Sequence, residues 1–545
     1  MSTEQYPRPD WLRPNLTWQS LNGPWSFLFD DNDIGLAQKW HLKGLPDEIA
    51  VDASLTNTLS SSAHQQSESI TKKIVGDTQA MIKENIFASG AAITHNKRDI
   101  TVPYVWQCPA SGVEEKGVHE VFWYERVIKD VRKEEEKKAG NKLILRFGAV
   151  DYEAKVWVDG NFVGGHRGGH VPFSLDITDS FADKKAGEEA RVTVRVYDSA
   201  FDLTQPRGKQ YWGAKPESIF YTPSGGIWQS VWLESVPSVR IGDSSDGTIL
   251  RSDDIDGGEL HASICVVDRP AGWNYSVGIK VHLGDQEISQ TDRIPLPRES
   301  SSVNFPVKMR LSPTQISNLP SDLPHLNNLP LWSPSHPTLY TLSLSLYDPS
   351  NTLIDTVTTT TGMRKITWTN SSFQLNHKPF FQALFLDQGY WPQTFLTPPS
   401  PSALETDILL AKKMGFNGCR KHQKVEDPLF HHYADKLGFL VWGEMANAYS
   451  FSAAYTERFD AEWREAVKRD INHPCVVAWT PVNESWAYTD LSSSLEQRNH
   501  IRSLYHATKV LDPTRPVNDN CGWEHVKGDL VTFHDYGDAE HLTSM

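Results

Sequence analysis

After about Phe373 the chain alternates between short apolar runs and segments that carry apolar residues at helical spacing. The runs PFFQALFLD, GFNGCR, FLVWGE and CVVAWTPVNE read as strands, and RPVND and DLVTFHD are expected to be a fifth and a sixth. Strands that are apolar on both faces and alternate with helices are typical of a parallel sheet covered on both sides. Six such units in line favour an incomplete (β/α)8 TIM barrel over an open sheet, which would more often carry a glycine-rich turn after its first strand.

The residues before this point read as two blocks of short strands with alternating polar and apolar side chains. The pattern predicts a jelly-roll β-sandwich over residues 1–237 and an immunoglobulin-like β-sandwich over 238–362. Residues 363–545 remain for the barrel, with strands 1–6 only. Trp157, Phe173 and Trp228 lie in alternating strands and are expected in the core of the first sandwich.

Residues 49–99 differ from the rest of the first block. They contain a single aromatic residue, Phe87, and are dominated by Ser, Thr, Gln, Lys and Ala. Such a composition cannot bury much apolar surface, so the segment is predicted to be a disordered insertion that contributes little to the sandwich.

The overall composition narrows the classes of partner. A net charge of −15 argues against nucleic acid, and no apolar run reaches the length of a membrane span. The first residues show no signal-peptide pattern, so a cytoplasmic protein is expected. The five cysteines form no C-x-x-C pair, so neither a zinc site nor a cofactor is predicted. Homo-oligomerisation is left open.

Polar residues gather at the predicted carboxyl ends of the strands, where a barrel carries its site. A single polar residue at a strand end is as often structural as functional, but polar residues at the ends of five strands predict a polar binding site. The residues are Asp387 to Trp391 after the first strand, Arg420 and His422 after the second, Glu444 at the third, Asn483 and Glu484 at the fourth, and His534 to Tyr536 at the sixth.

The stretch AWTPVNESW places an amide and a carboxylate between Trp479 and Trp486. A tryptophan face can pack on the C–H face of a sugar, and the chain holds 19 tryptophans. Burial beside aromatic groups is expected to raise the pKa of Glu484, so that it could protonate a leaving oxygen as a general acid. Asn483 can bind a sugar hydroxyl through both its donor and its acceptor.

With these motifs in order, the chain resembles glycoside hydrolase family 2, which includes β-galactosidases, β-glucuronidases and β-mannosidases. RDINHPCVVAW followed by Asn483-Glu484 is similar to the acid/base signature of that family. VWVDGNFVGGHRGGHVPFSLDIT and SGGIWQSVWLE resemble its N-terminal galactose-binding-like sandwich, and GMRKI resembles the exit from its immunoglobulin-like domain. GFNGCRKHQ and LGFLVWGE are similar to its second and third barrel strands.

The resemblance implies a retaining exo-β-glycosidase of the β-galactosidase or β-glucuronidase type, acting on terminal β-linked sugars in carbohydrate metabolism. It implies that Glu484 is the acid/base and that Asn483, Arg420, His422 and Tyr536 shape the sugar site. Trp391, Trp486 and His534 are added as substrate-binding residues by their location. The acid-x-His metal pattern of some bacterial relatives is not matched in GEMANAYSF, so no metal is expected.

The resemblance also implies a nucleophilic glutamate at the end of a seventh strand, about 5 Å from the acid/base. Glu524 lies in the loop after the fifth strand, which is the wrong place, so the nucleophile is expected to be absent from this chain. A fragment of an active glycosidase is therefore expected. The alternatives are a truncated or inactive carbohydrate-binding protein and, less consistent with the ordered barrel motifs, an adhesion module joined to an unrelated α/β domain.

Overall fold

A computed structural model of the chain describes residues 5–51, 93–185, 187–212, 216–320, 323–369 and 372–537. It contains two β-sandwiches followed by a parallel sheet covered by helices. No helix in these ranges is long and apolar enough to cross a membrane.

Two antiparallel sheets form the first sandwich, and their facing apolar side chains make a continuous core. The six-stranded sheet has the spatial order Asn161–Arg167, Glu153–Val158, Glu189–Tyr197, Val121–Lys129, Gly23–Phe29 and Arg98–Val102. The four-stranded sheet has the order Phe173–Asp176, Lys142–Phe147, Val231–Val236 and Trp18–Ser20. Smaller elements are the pair Val150–Asp151 and Gly226–Ile227, helices Trp40–Lys43 and Glu134–Lys138, and 3-10 turns Pro109–Ser111 and Thr178–Phe181.

Of the three residues expected in this core, only Phe173 packs on it, while Trp157 and Trp228 belong to smaller neighbouring clusters and Trp228 lies just after strand Gly226–Ile227. Trp228 is fully buried and Trp157 is 7% exposed, while Phe173 packs against the core from a partly buried position. Trp157 lies with Trp123 in a separate small cluster, and their rings stack with centroids 5.7 Å apart.

Both ends of the predicted insertion are ordered strands, which corrects its expected limits of 49–99. Glu48–Val51 pairs with Ile93–Asn96, and Arg98–Val102 is the edge strand of the six-stranded sheet. Ile49 and Val51 alternate inward and are buried, so this short pair has an apolar face that the bulk composition of the segment concealed. The remaining predicted insertion, 52–92, lies outside the described residues.

The second sandwich also consists of two antiparallel layers around one apolar core. One layer has the order Trp11–Leu12, Leu353–Thr361, Tyr340–Tyr347, Ser276–Leu283 and Gln286–Gln290, with Ile294–Pro295 beside Ser276–Leu283. The other contains Arg240–Ile241, Ile249–Asp254, Glu259–Val267 and Ser302–Lys308. Helix Pro313–Ile316 and the pair His325–Leu326 and Leu329–Pro330 follow the last of these strands.

The beginning of the described chain belongs to the second sandwich rather than the first. Trp11 pairs with Thr359 across an antiparallel ladder, and Arg13 forms an ion pair with Asp355 at 3.0 Å. The predicted first domain, 1–237, is therefore not one continuous structural unit, since Trp11 is buried among the core residues of its neighbour.

The barrel region begins after a small three-stranded sheet of Ile366–Trp368, Phe373–Leu375 and Lys378–Pro379. Four parallel strands are hydrogen-bonded in chain order: Leu384–Asp387, Gly418–Lys421, Leu440–Glu444 and Val476–Thr480. The helices that cover them are Pro401–Lys413, Pro428–Leu437, Ala453–Asp470 and Leu495–Leu511. This is the predicted βα pattern, and the parallel register brings the carboxyl ends of the strands to one edge.

A fifth parallel strand follows in two pieces. Val517 forms a parallel bridge with Trp479, and Asn520–Cys521 pairs with Val482–Asn483. The expected sixth strand, DLVTFHD, is not formed in the described part of the chain. Asp529 N at its start donates to Val517 O of the fifth strand at 2.8 Å, but further along Thr532 N and Thr532 O both contact Nε2 of the His525 side chain.

Two helices of the barrel region begin at side-chain caps. Asp427 accepts a hydrogen bond from Leu429 N, and Gly438 ends the same helix at a positive φ, both as the pattern indicates. The preceding helix is capped by Ser400, whose hydroxyl accepts a hydrogen bond from Ala403 N. Pro401 occupies its first position, where a missing N–H has no effect on the helix ladder.

Candidate active site

Glu484 follows the short strand Val482–Asn483 at the carboxyl edge of the barrel sheet. Its backbone N–H donates to Cys521 O at 2.9 Å, which ties it to the fifth strand. Glu484, Ser485 and Ala487 all have φ between +50 and +71°, a region that non-glycine residues rarely adopt. Such strain persists only where neighbours hold it, and it is common at functional sites.

One carboxylate oxygen of Glu484 receives two hydrogen bonds. His534 Nδ1 lies 2.5 Å from Oε1, and the Tyr536 hydroxyl donates to the same oxygen at 2.8 Å. The second oxygen has only a long contact with Asn483 Nδ2, at 3.5 Å. Because His534 Nε2 faces the donor Arg420 Nη1 at 3.4 Å, the tautomer with a proton on Nδ1 fits both contacts.

The expected rise in the pKa of Glu484 is wrong for this structure. Burial raises the pKa, but the hydrogen bonds from His534 and Tyr536 and the positive charge of Lys209 outweigh it, so the pKa is lowered. The sequence leads one to expect that the aromatic neighbours of Glu484 are purely apolar. In the structure the nearest aromatic groups present N–H and O–H donors, which favour the ionised carboxylate.

Arg420 connects the polar residues of three strand ends. It donates to both oxygens of Glu444, at 2.6 and 3.2 Å, and to the side-chain oxygen of Asn483. Burial alone would raise the pKa of Glu444, but Arg420 and then His422 lower it to about 2. With its oxygen bound to Arg420, Asn483 directs its amide nitrogen toward Glu484, 3.5 Å from Oε2.

His422 lies beside the same ion pair. Its Nδ1 is 3.2 Å from Glu444 Oε1 and 3.0 Å from Arg420 Nη2, and its backbone N–H donates to Asp387 O at 2.7 Å. Burial lowers the pKa of His422 and the Glu444 carboxylate only partly offsets this. The imidazole is therefore neutral near pH 7 and can donate or accept toward a bound hydroxyl.

The structure thus brings together six of the eight residues expected at the site. These are Arg420, His422, Asn483, Glu484, His534 and Tyr536. The first strand end joins them through its backbone, since Asp387 O accepts from His422 N at 2.7 Å, while the Asp387 carboxylate pairs with Lys421 at 2.5 Å.

The two tryptophans expected to bind substrate lie at the margin of this network. Trp391 forms a bridge with Phe395 and packs on the barrel core. Trp486 is half-buried, with its ring edge-on to Tyr449 and Phe220 at centroid distances of 5.1 and 5.9 Å. Neither ring has a described contact with Glu484, so their substrate-binding role stays a prediction.

A loop of the first sandwich forms part of the same mouth, which the sequence argument missed. Gly208 N donates to Asn447 O at 2.9 Å, and Asn447 Oδ1 accepts from Asn483 N at 2.9 Å. Further along the loop, Tyr221 stacks on Tyr390 with ring centroids 3.9 Å apart. The polar and aromatic run PRGKQYW in the first block was the available signal.

The site brings together a carboxylate with two donors, an amide and a neutral imidazole. This set can exchange a proton with an oxygen leaving group and bind ring hydroxyls. Two other carboxylates lie nearby, but each is engaged: Glu444 by Arg420, and Glu524 by the Ser485 hydroxyl at 2.6 Å.

Two sandwiches followed by a barrel with an acidic residue after its fourth strand define the class of multidomain barrel glycosidases by architecture. Three family models match the chain in order. They describe the sugar binding domain of glycosyl hydrolases family 2 at 97–236, glycosyl hydrolases family 2 at 251–364, and the family 2 TIM barrel domain at 399–536. The chain belongs to glycoside hydrolase family 2.

Curated relatives agree with this family. The chain is 24% identical to a beta-galactosidase of Thermoanaerobacter pseudethanolicus, over 76% of this chain and 51% of that protein. It is 26% identical to a beta-glucuronidase of Streptococcus agalactiae, over 73% of this chain and 63% of that protein. It is 26% identical to human beta-glucuronidase, over 77% of this chain and 64% of that protein. The chain therefore spans between half and two thirds of the length of these relatives.

The fold is shared with solved structures. Lactobacillus rhamnosus beta-glucuronidase superposes with a TM-score of 0.65 at 22% identity, over 93% of this chain and 72% of that one. Ruminococcus gnavus beta-glucuronidase gives a TM-score of 0.65 at 19% identity. At these identities the likeness establishes the three-part architecture alone.

Proposed function

We propose that this chain carries the acid/base side of a retaining exo-β-glycosidase of the β-galactosidase or β-glucuronidase type. Membership in the family and the names of the relatives support the reaction class. The single observation that carries the proposal is Glu484 after the fourth barrel strand, held by His534 and Tyr536 beside Asn483.

In the first half of the proposed reaction, a carboxylate nucleophile attacks the anomeric carbon and the glycosidic C–O bond breaks. Glu484 gives its proton to the departing oxygen. In the second half, Glu484 takes a proton from water, which attacks the anomeric carbon and releases the carboxylate nucleophile. The lowered pKa of the free site suits the second half. A bound glycoside that excludes water from Glu484 would raise its pKa for the first half.

Asn483, Arg420 and His422 are proposed to position the sugar. The amide N–H groups of Asn483 face the ring hydroxyls, and His422 offers a neutral imidazole. Arg420 is a positioning residue, because its donors are taken by Glu444, Asn483 and the two histidines. The loop of the first sandwich closes one side of the mouth, which supports action on a terminal sugar.

The expected absence of the nucleophile stays a prediction. The retaining mechanism needs a second carboxylate about 5 Å from the acid/base. Glu444 and Glu524 are held by other groups, so we propose that neither serves. We also propose that the protein is cytoplasmic, that it acts in carbohydrate metabolism and that the chain is a fragment. The comparisons do not favour the alternative of an inactive carbohydrate-binding protein.

Binding of a sugar at the barrel mouth tests the proposal without requiring turnover. Ligand-observed NMR with methyl β-D-galactoside and methyl β-D-glucuronide is expected to detect binding of at least one of them to the wild-type chain. Asn483→Ala should abolish that signal, while Asn499→Ala, an exposed asparagine of helix Leu495–Leu511, should retain it. Equal binding by both variants, or no binding by the wild type, would contradict the proposed site.

A further inference from the structure

Asp31, His95 and His119 form a His–Asp cluster in the first sandwich, and none of them belongs to the proposed sugar site. His95 Nε2 lies 2.6 Å from Asp31 Oδ2, and His119 Nδ1 lies 2.8 Å from Asp31 Oδ1. The three side chains are between 8 and 11% exposed. Two ring nitrogens and a carboxylate oxygen thus lie within 4.8 Å of one another in a largely buried position.

Three separate segments bring these side chains together. Asp31 lies two residues after strand Gly23–Phe29, and His119 lies two residues before strand Val121–Lys129. These strands are hydrogen-bonded neighbours in the six-stranded sheet, while His95 comes from a separate two-stranded sheet. The histidines are 64 and 88 residues from Asp31 along the chain, so no local spacing in the sequence reveals the cluster.

Aromatic contacts hold the two imidazole rings in place. His119 stacks on Phe29 with ring centroids 3.7 Å apart, and it meets Trp106 edge-on at 5.3 Å. The His95 ring lies edge-on to Phe29 at 5.6 Å and to His119 at 5.3 Å. Because these rings are already packed, little side-chain entropy is lost when their nitrogens bind a common ligand.

The Asp31 carboxylate faces imidazole nitrogens rather than a fixed positive charge. Within the described ranges no lysine or arginine pairs with it, and the hydrogen-bond partners of its two oxygens are the rings of His95 and His119. A neutral imidazole nitrogen binds a metal when the ring proton lies on the other nitrogen. The cluster therefore offers one negative oxygen ligand and two neutral nitrogen ligands.

The distances fit a divalent transition-metal ion after small shifts. Nitrogen and carboxylate ligands lie about 2.0–2.2 Å from Zn²⁺, which places ligand atoms of a tetrahedral site roughly 3.4 Å from one another. The N–O distances of 2.6 and 2.8 Å must open by less than about 1 Å to admit such an ion. Two imidazoles favour Zn²⁺ or a similar metal over Mg²⁺ and Ca²⁺, which prefer oxygen ligands.

An entry path is present beside the cluster. A cleft of about 440 Å³ is lined by His119, Trp106 and Lys116 of the first sandwich and by Pro392 and Phe395 of the barrel region. His119 therefore places the cluster at the wall of a cleft from which a hydrated ion can reach it. With three protein ligands, the fourth position of a tetrahedral ion is left for water.

We propose that Asp31, His95 and His119 bind one divalent transition-metal ion of the Zn²⁺ type. The bound ion ties strand Ile93–Asn96 to the six-stranded sheet, because its ligands come from both. The cysteine spacing and the barrel pattern from which no metal is expected concern other residues. This site is independent of the proposed function, since it does not involve Glu484.

Calorimetric titration of the whole, untagged chain with Zn²⁺ tests the site. One tight site per chain is expected, and Mg²⁺ should not compete for it. His95→Gln and His119→Gln should each weaken Zn²⁺ binding at least about 10-fold, because loss of a group that only orients a metal ligand already costs roughly 10–100-fold. His261→Gln, at an exposed histidine of the second sandwich, is the matched control and should retain the tight site.

Two further measurements separate metal binding from folding. Zn²⁺ should raise the melting temperature of the wild type, because it binds the folded chain, and this rise should be lost in both cluster variants. Their metal-free melting temperatures should change little, since glutamine can still donate to Asp31. Pulsed EPR of the wild type loaded with one equivalent of Cu²⁺ needs no variant and should show coupling to two imidazoles.

Three results would overturn the metal site. They are a wild type without a tight Zn²⁺ site, tight binding that both His95→Gln and His119→Gln retain, and a Cu²⁺ spectrum with fewer than two imidazole couplings. Each of these would leave the proposed glycosidase function unaffected, because the sugar-binding test at the barrel mouth uses other residues.

Discussion

At the scale of single residues, the site depends on which atoms face Glu484 rather than on how apolar its surroundings are. His534 and Tyr536 approach one carboxylate oxygen with donors, and the pKa falls below its ordinary value. The sequence predicts the position of Glu484, because an apolar run that ends in Asn483-Glu484 places the carboxylate at the carboxyl edge of the barrel sheet. It could not predict the sign of the shift, because both donors come from a segment without regular structure.

Removing one of the two hydrogen-bond donors to Glu484 should reverse part of the fall in its pKa. In Tyr536→Phe the Oε1 atom of Glu484 loses a hydrogen bond that favours its ionised form, so the pKa of Glu484 should rise toward its ordinary value. Carbon-detected NMR of labelled glutamate carboxyls across a pH titration measures this, with the Glu484 signal assigned by its loss in Glu484→Gln. Tyr347→Phe in the second sandwich is the matched control. An unchanged or lower pKa in Tyr536→Phe would contradict the assigned contact.

At the scale of elements, apolar runs with a clear period predicted what formed. The first four barrel strands and their helices lie where the sequence places them, because each buries an apolar face against its neighbours. DLVTFHD looks like a sixth strand by the same criterion, yet Val531 and Phe533 are exposed, and beyond the bond from Asp529 N to Val517 O the described backbone forms no strand ladder. A strand needs a neighbouring strand to hydrogen-bond with as well as a suitable composition. Composition alone does not show whether such a neighbour is present.

The strand pair at the ends of the predicted insertion provides an element-scale prediction. Val51 and Ile93 are directly paired, so a two-residue Asn-Gly turn should close the pair when 52–92 are replaced by it. That variant should melt within about two degrees of the wild type, since Ile49 and Val51 remain buried. Each such apolar side chain contributes roughly 1.5–3 kcal/mol.

The matched comparison is deletion of the whole of 49–99. This variant loses the strand pair and the start of Arg98–Val102, so calorimetry should show a melting temperature lower by several degrees. Equal melting of the two deletions would mean that the strand pair adds nothing to the sandwich.

At the scale of the whole molecule, the sandwiches and the barrel are joined by buried polar contacts. Glu462 of helix Ala453–Asp470 is 1% exposed and accepts a hydrogen bond from His170 N in the first sandwich at 2.7 Å. Burial raises its pKa to about 8, with Glu465 adding to the effect. Sequence reasoning cannot find such a contact, because its two partners are separated by 292 residues.

The protonated Glu462 makes this interface sensitive to pH. Between its ordinary pKa of 4.5 and about 8, the folded chain holds a proton that the unfolded chain has released. Stability contributed by this group is therefore present below pH 4.5 and declines as the pH rises toward 8. Glu462→Gln keeps an acceptor for His170 N and has no proton to lose.

Melting temperatures of the two proteins from pH 5 to pH 9 test this. The melting temperature of Glu462→Gln should rise relative to that of the wild type as the pH rises. A difference that is constant over the range, or that moves in favour of the wild type, would show that Glu462 is ionised in the folded chain at neutral pH. Glu496→Gln, at an exposed glutamate in the first turn of helix Leu495–Leu511, is the control.

The nearby carboxylates Glu444 and Glu524 are held by other groups, so external azide tests whether Glu484 can act as the acid/base with an added nucleophile. Azide can attack the anomeric carbon while the aryloxide leaves with the proton of Glu484. Because azide would enter from the face that the nucleophile normally occupies, the product should be an α-glycosyl azide. A β-glycosyl azide would show that a nucleophile is present in the chain.

The most direct measurement of the central claim is the azide-dependent rate for phenyl and 2,4-dinitrophenyl β-glycosides in the wild type and in Glu484→Gln. The phenyl leaving group needs a proton, so its rate should fall roughly 10²–10⁴-fold in the variant. The dinitrophenyl group leaves without one, and its rate should change little. Equal losses for the two glycosides, or no loss for the phenyl glycoside, would contradict the assignment of Glu484 as the acid/base.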